Sequence, residues 1–286
     1  MANASLNVFE TISHSYYELT AAERKAADYV MQNREQTQYL SIGELAEEAG
    51  VAEATVSRFC RRLGYKSYNA FKLAIANAGA SGRSIAPAED APADPDDTLS
   101  LARFLFSTET DALQQTLSLL QPDAIEQAVD MLCRARKVLC MGQGGSMILA
   151  QEAAHLFSIC DGKFIPVPDS HMQIISSATL SEEDAVLFFS YSGATRDMMD
   201  TLSVVRERGA KIILITRFPR SPGAALADVV LQCGSNESPL QHGSVPARIA
   251  QLFLLDILFA RMNRLHPERC SENRQRIAAA LADKHL

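Results

Sequence analysis

The chain has 286 residues, 47% of them hydrophobic and none Trp, with a formal net charge of -7 and a pI near 5.4. That length suits one large domain or two ordinary ones, and the acidic balance excludes a protein that coats nucleic acid indiscriminately while leaving room for a local basic face. No apolar run reaches the roughly 18 residues of a membrane span, and Met1–Ser5 lack the basic and apolar regions of a signal peptide. The six cysteines, at 60, 133, 140, 160, 233 and 270, are scattered without a Cys-x-x-Cys. A cytoplasmic protein is therefore expected, with reduced, mostly core thiols, no metal site and no cofactor.

Residues 1–78 read as three or four helices and no strands. Thr20-Ala21-Ala22-Glu23 and Ser41-Ile42-Gly43-Glu44 both have the capping-box pattern, in which a hydroxyl and a carboxylate satisfy backbone N–H groups reciprocally. Ala26, Ala27, Val30 and Met31 continue the first as an apolar stripe. Ile42, Leu45, Ala46 and Ala49 form the face of the second, which Gly50 stops. A few residues later another helix runs to about Leu63, stopped by Gly64. Two short helices around a glycine turn make a helix-turn-helix outline. On the second helix Val56, Phe59, Cys60 and Leu63 fall on one arc, and Ala54, Thr55, Ser57, Arg58, Arg61 and Arg62 on the other. From Ala54 to Lys72 there are five Lys or Arg and no Asp or Glu, whereas an ordinary solvated face mixes signs. Arginine on such a face can bond guanine edges or phosphates, so this helix is expected in the DNA major groove, with Lys66, Ser67, Tyr68 and Lys72 contacting the backbone.

The string Leu45-Ala46-x-x-Ala49-Gly50-Val51-x-x-Ala54-Thr55-Val56-x-Arg58-Phe59, continued by Leu63-Gly64-Tyr65-x-Ser67-Tyr68, resembles the N-terminal helix-turn-helix of RpiR-type transcriptional regulators. One departure is Ala52, where that family usually has a capping Ser. Residues 79–98 follow, with three prolines, two glycines and five acids against one arginine, and read as a mobile acidic linker.

From residue 99 the pattern changes. Helical stretches at 99–120 and 122–134 precede short apolar runs at 137–141, 163–167, 185–190, 211–216 and 228–232, with helical segments between them. A last helix from Pro246 to about Leu265 is expected to close the domain. Continuous apolar strands separated by helices argue for a doubly wound, mostly parallel sheet, whose ligands bind at the carboxyl ends of the strands. Two motifs fall there. Gly142-Gln143-Gly144-Gly145-Ser146 is only partly a dinucleotide fingerprint: position 147 is Met, and no acid follows the next strand before Asp169. Ser190-Tyr191-Ser192-Gly193-Ala194-Thr195 puts hydroxyls and a close-approach glycine where a strand gives way to a helix, a plausible phosphate cradle. The plainer reading of the same residues is a polar turn with ordinary caps.

Together the two motifs resemble the SIS (sugar isomerase) domain, and Lys211–Thr216, Ser221-Pro222, Ala227-Asp228 and Asp169–Gln173 extend the likeness. RpiR-type regulators pair this domain with the helix-turn-helix, so the resemblance covers nearly the whole chain. It implies an all-α helix-turn-helix domain at 1–78, the linker, and an α/β SIS domain at 99–286. It further implies Ser146, Ser190, Ser192 and Thr195 as ligands of a sugar phosphate, Gly144 and Gly193 allowing close backbone approach, and His171, Gln173 and Glu237 as candidates for the sugar hydroxyls. Arg248 could face the anion, though a structural salt bridge is its expected role. The family often has an acid where this chain has Ala194, which bears on sugar choice. The function implied is a DNA-binding regulator, in the first instance a repressor, of sugar or amino-sugar genes, acting on operator DNA as a homodimer or homotetramer. SIS enzymes can place a catalytic Glu on the helix after the first motif, and Glu152 lies there, so a sugar-phosphate isomerase is the alternative.

Overall fold

The computed structural model describes residues 8–80, 97–235 and 245–282. They divide into two compact units, and the division falls between Thr108 and Glu109. Of the stretch read as a linker, 81–96 lie outside the described residues, while Gly79 and Ala80 complete one helix and Thr98 begins the next.

The N-terminal unit is helical: α1 (Val8–Ser15), α2 (Ala21–Gln32), α3 (Arg34–Thr37), α4 (Ile42–Glu48), α5 (Glu53–Arg62) and α6 (Tyr68–Ala80). The helices are more numerous than expected because α1 and α3 are too short to show a periodic stripe. Both capping boxes form, at Thr20 with Glu23 and at Ser41 with Glu44. Gly50 and Gly64, at φ +62 and +89, end α4 and α5 in the left-handed conformation that glycine adopts without penalty. Ile12, Leu45, Val56, Phe59 and Phe71 are wholly buried and form the core with Ala26, Ala27 and Val30.

The second unit is built on a five-stranded parallel sheet in the order β2-β1-β3-β4-β5, with β1 at Val138–Gly142, β2 at Phe164–Pro166, β3 at Ala185–Phe189, β4 at Lys211–Thr216 and β5 at Val229–Gln232. The helices are α7 (Thr98–Leu119), which begins before the division, then α8 (Pro122–Arg134), α9 (Gly145–Ser158), α10 (Ser170–Ala178), α11 (Arg196–Glu207), α12 (Val245–Leu265) and α13 (Pro267–Leu281). The region read as a helix at 222–227 is a single 3-10 turn, Ala224–Leu226. The chain does not close on α12, as the sequence reading had it: α13 follows, and Cys270 is its one buried residue, which is why no apolar stripe announces it.

Strands β1 and β3 are buried throughout, and β4 is buried beyond Lys211. Alternate residues serve two cores. Cys140, Leu187, Phe189, Ile213 and Ile215 pack with α8, α9 and α12, whereas Met141, Val186, Phe188, Ile212 and Leu214 pack with α11. Burial on both faces explains the unbroken apolar runs. The strand order reverses between β1 and β3, and the crevice at their carboxyl ends is where such sheets take ligands.

Candidate functional site

Helix α5 begins at Ala52, whose backbone has N-cap geometry (φ -80, ψ 150) but whose methyl caps nothing. Its outward face is narrower than the helical wheel suggests. Ala54, Arg58, Arg61 and Arg62 are exposed and Ser57 half-buried, but Thr55 is 5% exposed, and its hydroxyl accepts a 3.2 Å bond from Arg58 Nη2. Thr55 therefore positions Arg58 from inside and does not stand on the outer arc expected of it. Arg62 also turns inward: Nη1 donates to the Glu18 carbonyl at 3.2 Å, and Nε lies 3.3 Å from Glu23 Oε2. That oxygen also accepts from the Thr20 N–H and hydroxyl, at 2.9 Å each. Burial works to raise the Glu23 carboxyl, but the Thr20 bonds and the Arg62 charge outweigh it and hold the group below its ordinary value.

Beyond α5, Lys66 and Ser67 are exposed, and Ser67 Oγ caps α6 by accepting from the Ala70 N–H at 3.2 Å. Tyr68 is half-buried and its hydroxyl donates to the Leu40 carbonyl at 3.0 Å, an internal tie that sequence spacing could not reveal. Lys72 is half-buried near the Tyr68 ring. Burial brings its ammonium down to about 8, only partly opposed by Glu44. Arg58, Arg61 and Lys66 thus remain as the outward basic groups.

In the sheet unit, β1 and β3 lie in parallel register with Gly142 beside Phe189, so the loops that follow them leave adjacent strand ends. They are joined directly: Thr195 Oγ1 donates to Gln143 Oε1 at 2.9 Å. The Thr195 hydroxyl, turned toward Gln143, makes no side-chain cap to the first turn of α11. The first-turn backbone N–H groups of that helix carry the positive end of its dipole at the end of the Ser190–Thr195 loop. Gly144 precedes α9 at φ +56 and ψ -127, a conformation open to glycine and hardly to any other residue. Ser146 follows, half-buried in the first turn of α9.

Inside the second loop Ser190 is 6% exposed and its Oγ accepts from the Gly193 N–H at 3.1 Å. Ser192 Oγ accepts more weakly from the Ala194 N–H, at 3.4 Å. Gly193 is buried at φ +58, and a Cβ there would drive into the Ser221 side chain. The Gly193 carbonyl accepts from the Gly223 N–H at 2.9 Å. Gly144, Ser146, Ser190, Ser192, Gly193 and Thr195 are accordingly gathered at one end of the sheet, in two loops that begin helices and are bridged by a hydrogen bond.

The remaining candidates fare differently. His171 is exposed at the start of α10. Gln173 is wholly buried, and its Nε2 donates to the carbonyls of Gly142 and Val167 at 2.9 and 2.8 Å, which ties α10 to the end of β1. Gln173 therefore supports the site from behind and is not aimed at a sugar. Glu237 lies outside the described residues. Arg248, half-buried in α12, forms no ion pair among the described residues, contrary to expectation. Glu152 is exposed two turns into α9, about 10 Å along the helix from the loop. Sequence reasoning missed Gln143 and the wiring of Tyr191. The Tyr191 carbonyl accepts from Thr216 Oγ1 at 3.0 Å and from the Arg217 N–H at 3.1 Å. Among the described residues no group of three or more acidic, His or Cys side chains could hold a metal, and no helix is long and apolar enough to cross a membrane.

Two family models match the chain: a helix-turn-helix domain of the rpiR family over residues 6–82, and a SIS domain over 131–261. The HTH-type transcriptional regulator HexR of Pseudomonas aeruginosa is 33% identical over 252 residues, covering 88% of this chain and 87% of HexR. The chain belongs to the RpiR family of transcriptional regulators. The RpiR regulator of Escherichia coli K12 is 29% identical over 84% of this chain and 80% of its own. In fold, the chain is similar to the Vibrio vulnificus NanR protein complexed with ManNAc-6P, with a TM-score of 0.87 at 24% identity over 98% of this chain and 99% of that one. This RpiR-family regulator thus carries a helix-turn-helix ahead of an α/β SIS domain.

Proposed function

We propose that this RpiR-family regulator binds operator DNA through α5 and is controlled by a phosphorylated sugar held between the two strand-end loops. The observation that carries the reading is the pairing, in one chain, of an exposed Arg58 and Arg61 on the second helix of a helix-turn-helix with two hydroxyl-bearing loops that leave adjacent strand ends at the sheet's switch point and are joined by a hydrogen bond. Arg58, Arg61, Lys66, Ala54, Ser57 and Ser67 meet the DNA, while Thr55, Arg62 and Tyr68 hold that surface in shape. Ser146, Ser190, Ser192 and Thr195 receive the phosphate together with the N-terminal amides of α11, Gly144 and Gly193 let it approach the backbone, and His171 and Glu237 reach the sugar. The protein acts in the cytoplasm as a homodimer or homotetramer, so paired helices read a two-fold operator, and the ligand shifts the assembly between states of different DNA affinity. Repression of sugar or amino-sugar genes is the simplest output.

The isomerase alternative needs a base beside the reacting carbon. An exposed Glu152 two turns from the loop is poorly placed for that, which favours sensing over turnover. A thermal-shift screen against sugar phosphates, N-acetylmannosamine 6-phosphate included, is the direct test, because a ligand bound only by the native state raises the midpoint. The ligand found should neither be consumed by the wild type nor raise the midpoint of a Ser190→Ala, Ser192→Ala variant, whose operator binding should persist. Consumption that disappears in Glu152→Gln would make the protein an enzyme.

A further inference from the structure

The Ser190–Thr195 loop is wired through the end of β5 to helix α7. β5 ends in a short strap, Cys233-Gly234-Ser235. On one side the Ser235 carbonyl accepts from the Tyr191 hydroxyl and from Arg217 Nε, both at 3.1 Å, and Tyr191 lies within the Ser190–Thr195 loop. On the other side the strap's amides are read by α7. The Ser235 N–H donates to Gln115 Oε1 at 3.1 Å, and the Gly234 N–H donates to Thr116 Oγ1 at 2.9 Å. The Thr116 hydroxyl passes its own proton to the Ala112 carbonyl at 2.7 Å. Gly234 packs backbone to backbone: a Cβ there would meet Thr116 N at 2.7 Å and Ala112 O at 2.8 Å. Thr116 and Ser235 are both buried, so neither can replace its partner with bulk water. Ser235 is also the one non-glycine residue with positive φ among the described residues, at +76, a conformation that persists only where its surroundings enforce it.

We propose that Gln115 and Thr116 are positioning residues for the anion loop, acting through the strap and Tyr191, and that α7 is the element in which occupancy of the loop is registered. The inference rests on the reading of Ser190–Thr195 as a phosphate site. An anion drawn into that loop must settle Tyr191, the strap follows through the Ser235 carbonyl, and the strap's amides bear on α7. The chain enters the sheet unit along α7, whose residues from Glu109 on belong to that unit.

The test is amide hydrogen exchange on the full chain, with inorganic phosphate or glucose 6-phosphate at millimolar concentration against chloride at matched ionic strength. In the wild type both probes should slow exchange at 190–195, and also at 233–235 and 112–116, by about fivefold or more, the lower end of usual coupling. Tyr191→Phe removes only the hydroxyl and keeps the ring against Phe218, so it should fold. It should retain protection of the loop and lose that of α7. Gln115→Leu with Thr116→Val should do the same, and Gln115→Glu with Thr116→Ser, which keep the acceptors, should restore the α7 response. An α7 response undiminished in Tyr191→Phe, or absent in a wild type whose loop is protected, overturns the relay. If neither probe slows the loop of the wild type, the phosphate reading itself fails and the relay falls with it.

Discussion

Arg58 and Arg61 stand exposed on a helix whose other face is core, whereas in the sheet unit Ser190 is 6% exposed and Gly193 is buried. The groups proposed to meet DNA lie outside the packing of the N-terminal unit, whereas two of the residues proposed to receive the anion, Ser190 and Gly193, lie within the packing of the sheet unit. The cause is the partner each would meet. A duplex is a large external surface reached by side chains. A phosphate must be stripped of water and met by backbone N–H groups, which only a closely packed turn supplies. Function and stability should therefore separate by substitution in the first unit and coincide in the second.

The largest effect should come from Gly193→Ala. Its methyl group meets Ser221 at a positive φ, so unfolding by urea should show a loss of about 2–4 kcal/mol, together with loss of phosphosugar binding. A variant that bound ligand normally at wild-type stability would break the contrast. Arg58→Ala and Arg61→Ala should each weaken operator binding by about 1–3 kcal/mol and reduce its salt dependence, with unfolding free energy within about 0.5 kcal/mol of wild type. Arg62→Ala sharpens the same point from within one helix. It strips the ion pair from buried Glu23, so it should cost about 1–2 kcal/mol of stability and less DNA affinity than its neighbours.

The same network sets an acid limit. The folded-state value of Glu23 lies below its ordinary 4.5, so its contribution is fully present above that pH and is lost as pH falls through the lowered value. Removing Arg62 should shrink this acid-dependent part of the unfolding free energy. The smallest effect is a gain. Ala52 already has N-cap backbone geometry with no acceptor, so Ala52→Ser should stabilise α5 by about 0.5–1 kcal/mol, seen as a raised midpoint with DNA affinity close to wild type.

Most of the strand and helix order was legible in the sequence, because its signals are local. Both capping boxes, the glycines at 50 and 64, and the five apolar runs each depend on neighbours in the chain, and each formed as read. What failed locally was weak locally: α1 and α3 are too short for a stripe, and α13 buries a single cysteine. Positions of hydroxyls and glycines in the two strand-end loops were likewise visible, since a motif is a string. Their placement at one end of a parallel sheet was visible too, but the adjacency of β1 and β3 and the Thr195–Gln143 bond between the loops were not.

Amino-acid order thus determined which residues could face DNA or an anion. Tertiary structure decided which are free to do so. Arg62, Tyr68 and Gln173 look like surface or ligand groups in the sequence, yet each is bonded to an atom brought near by folding: the carboxylate of Glu23 and the carbonyls of Leu40 and Gly142. A buried polar group must find a partner or lose its hydration uncompensated. In the intact fold those partners come from other elements, which no local pattern specifies.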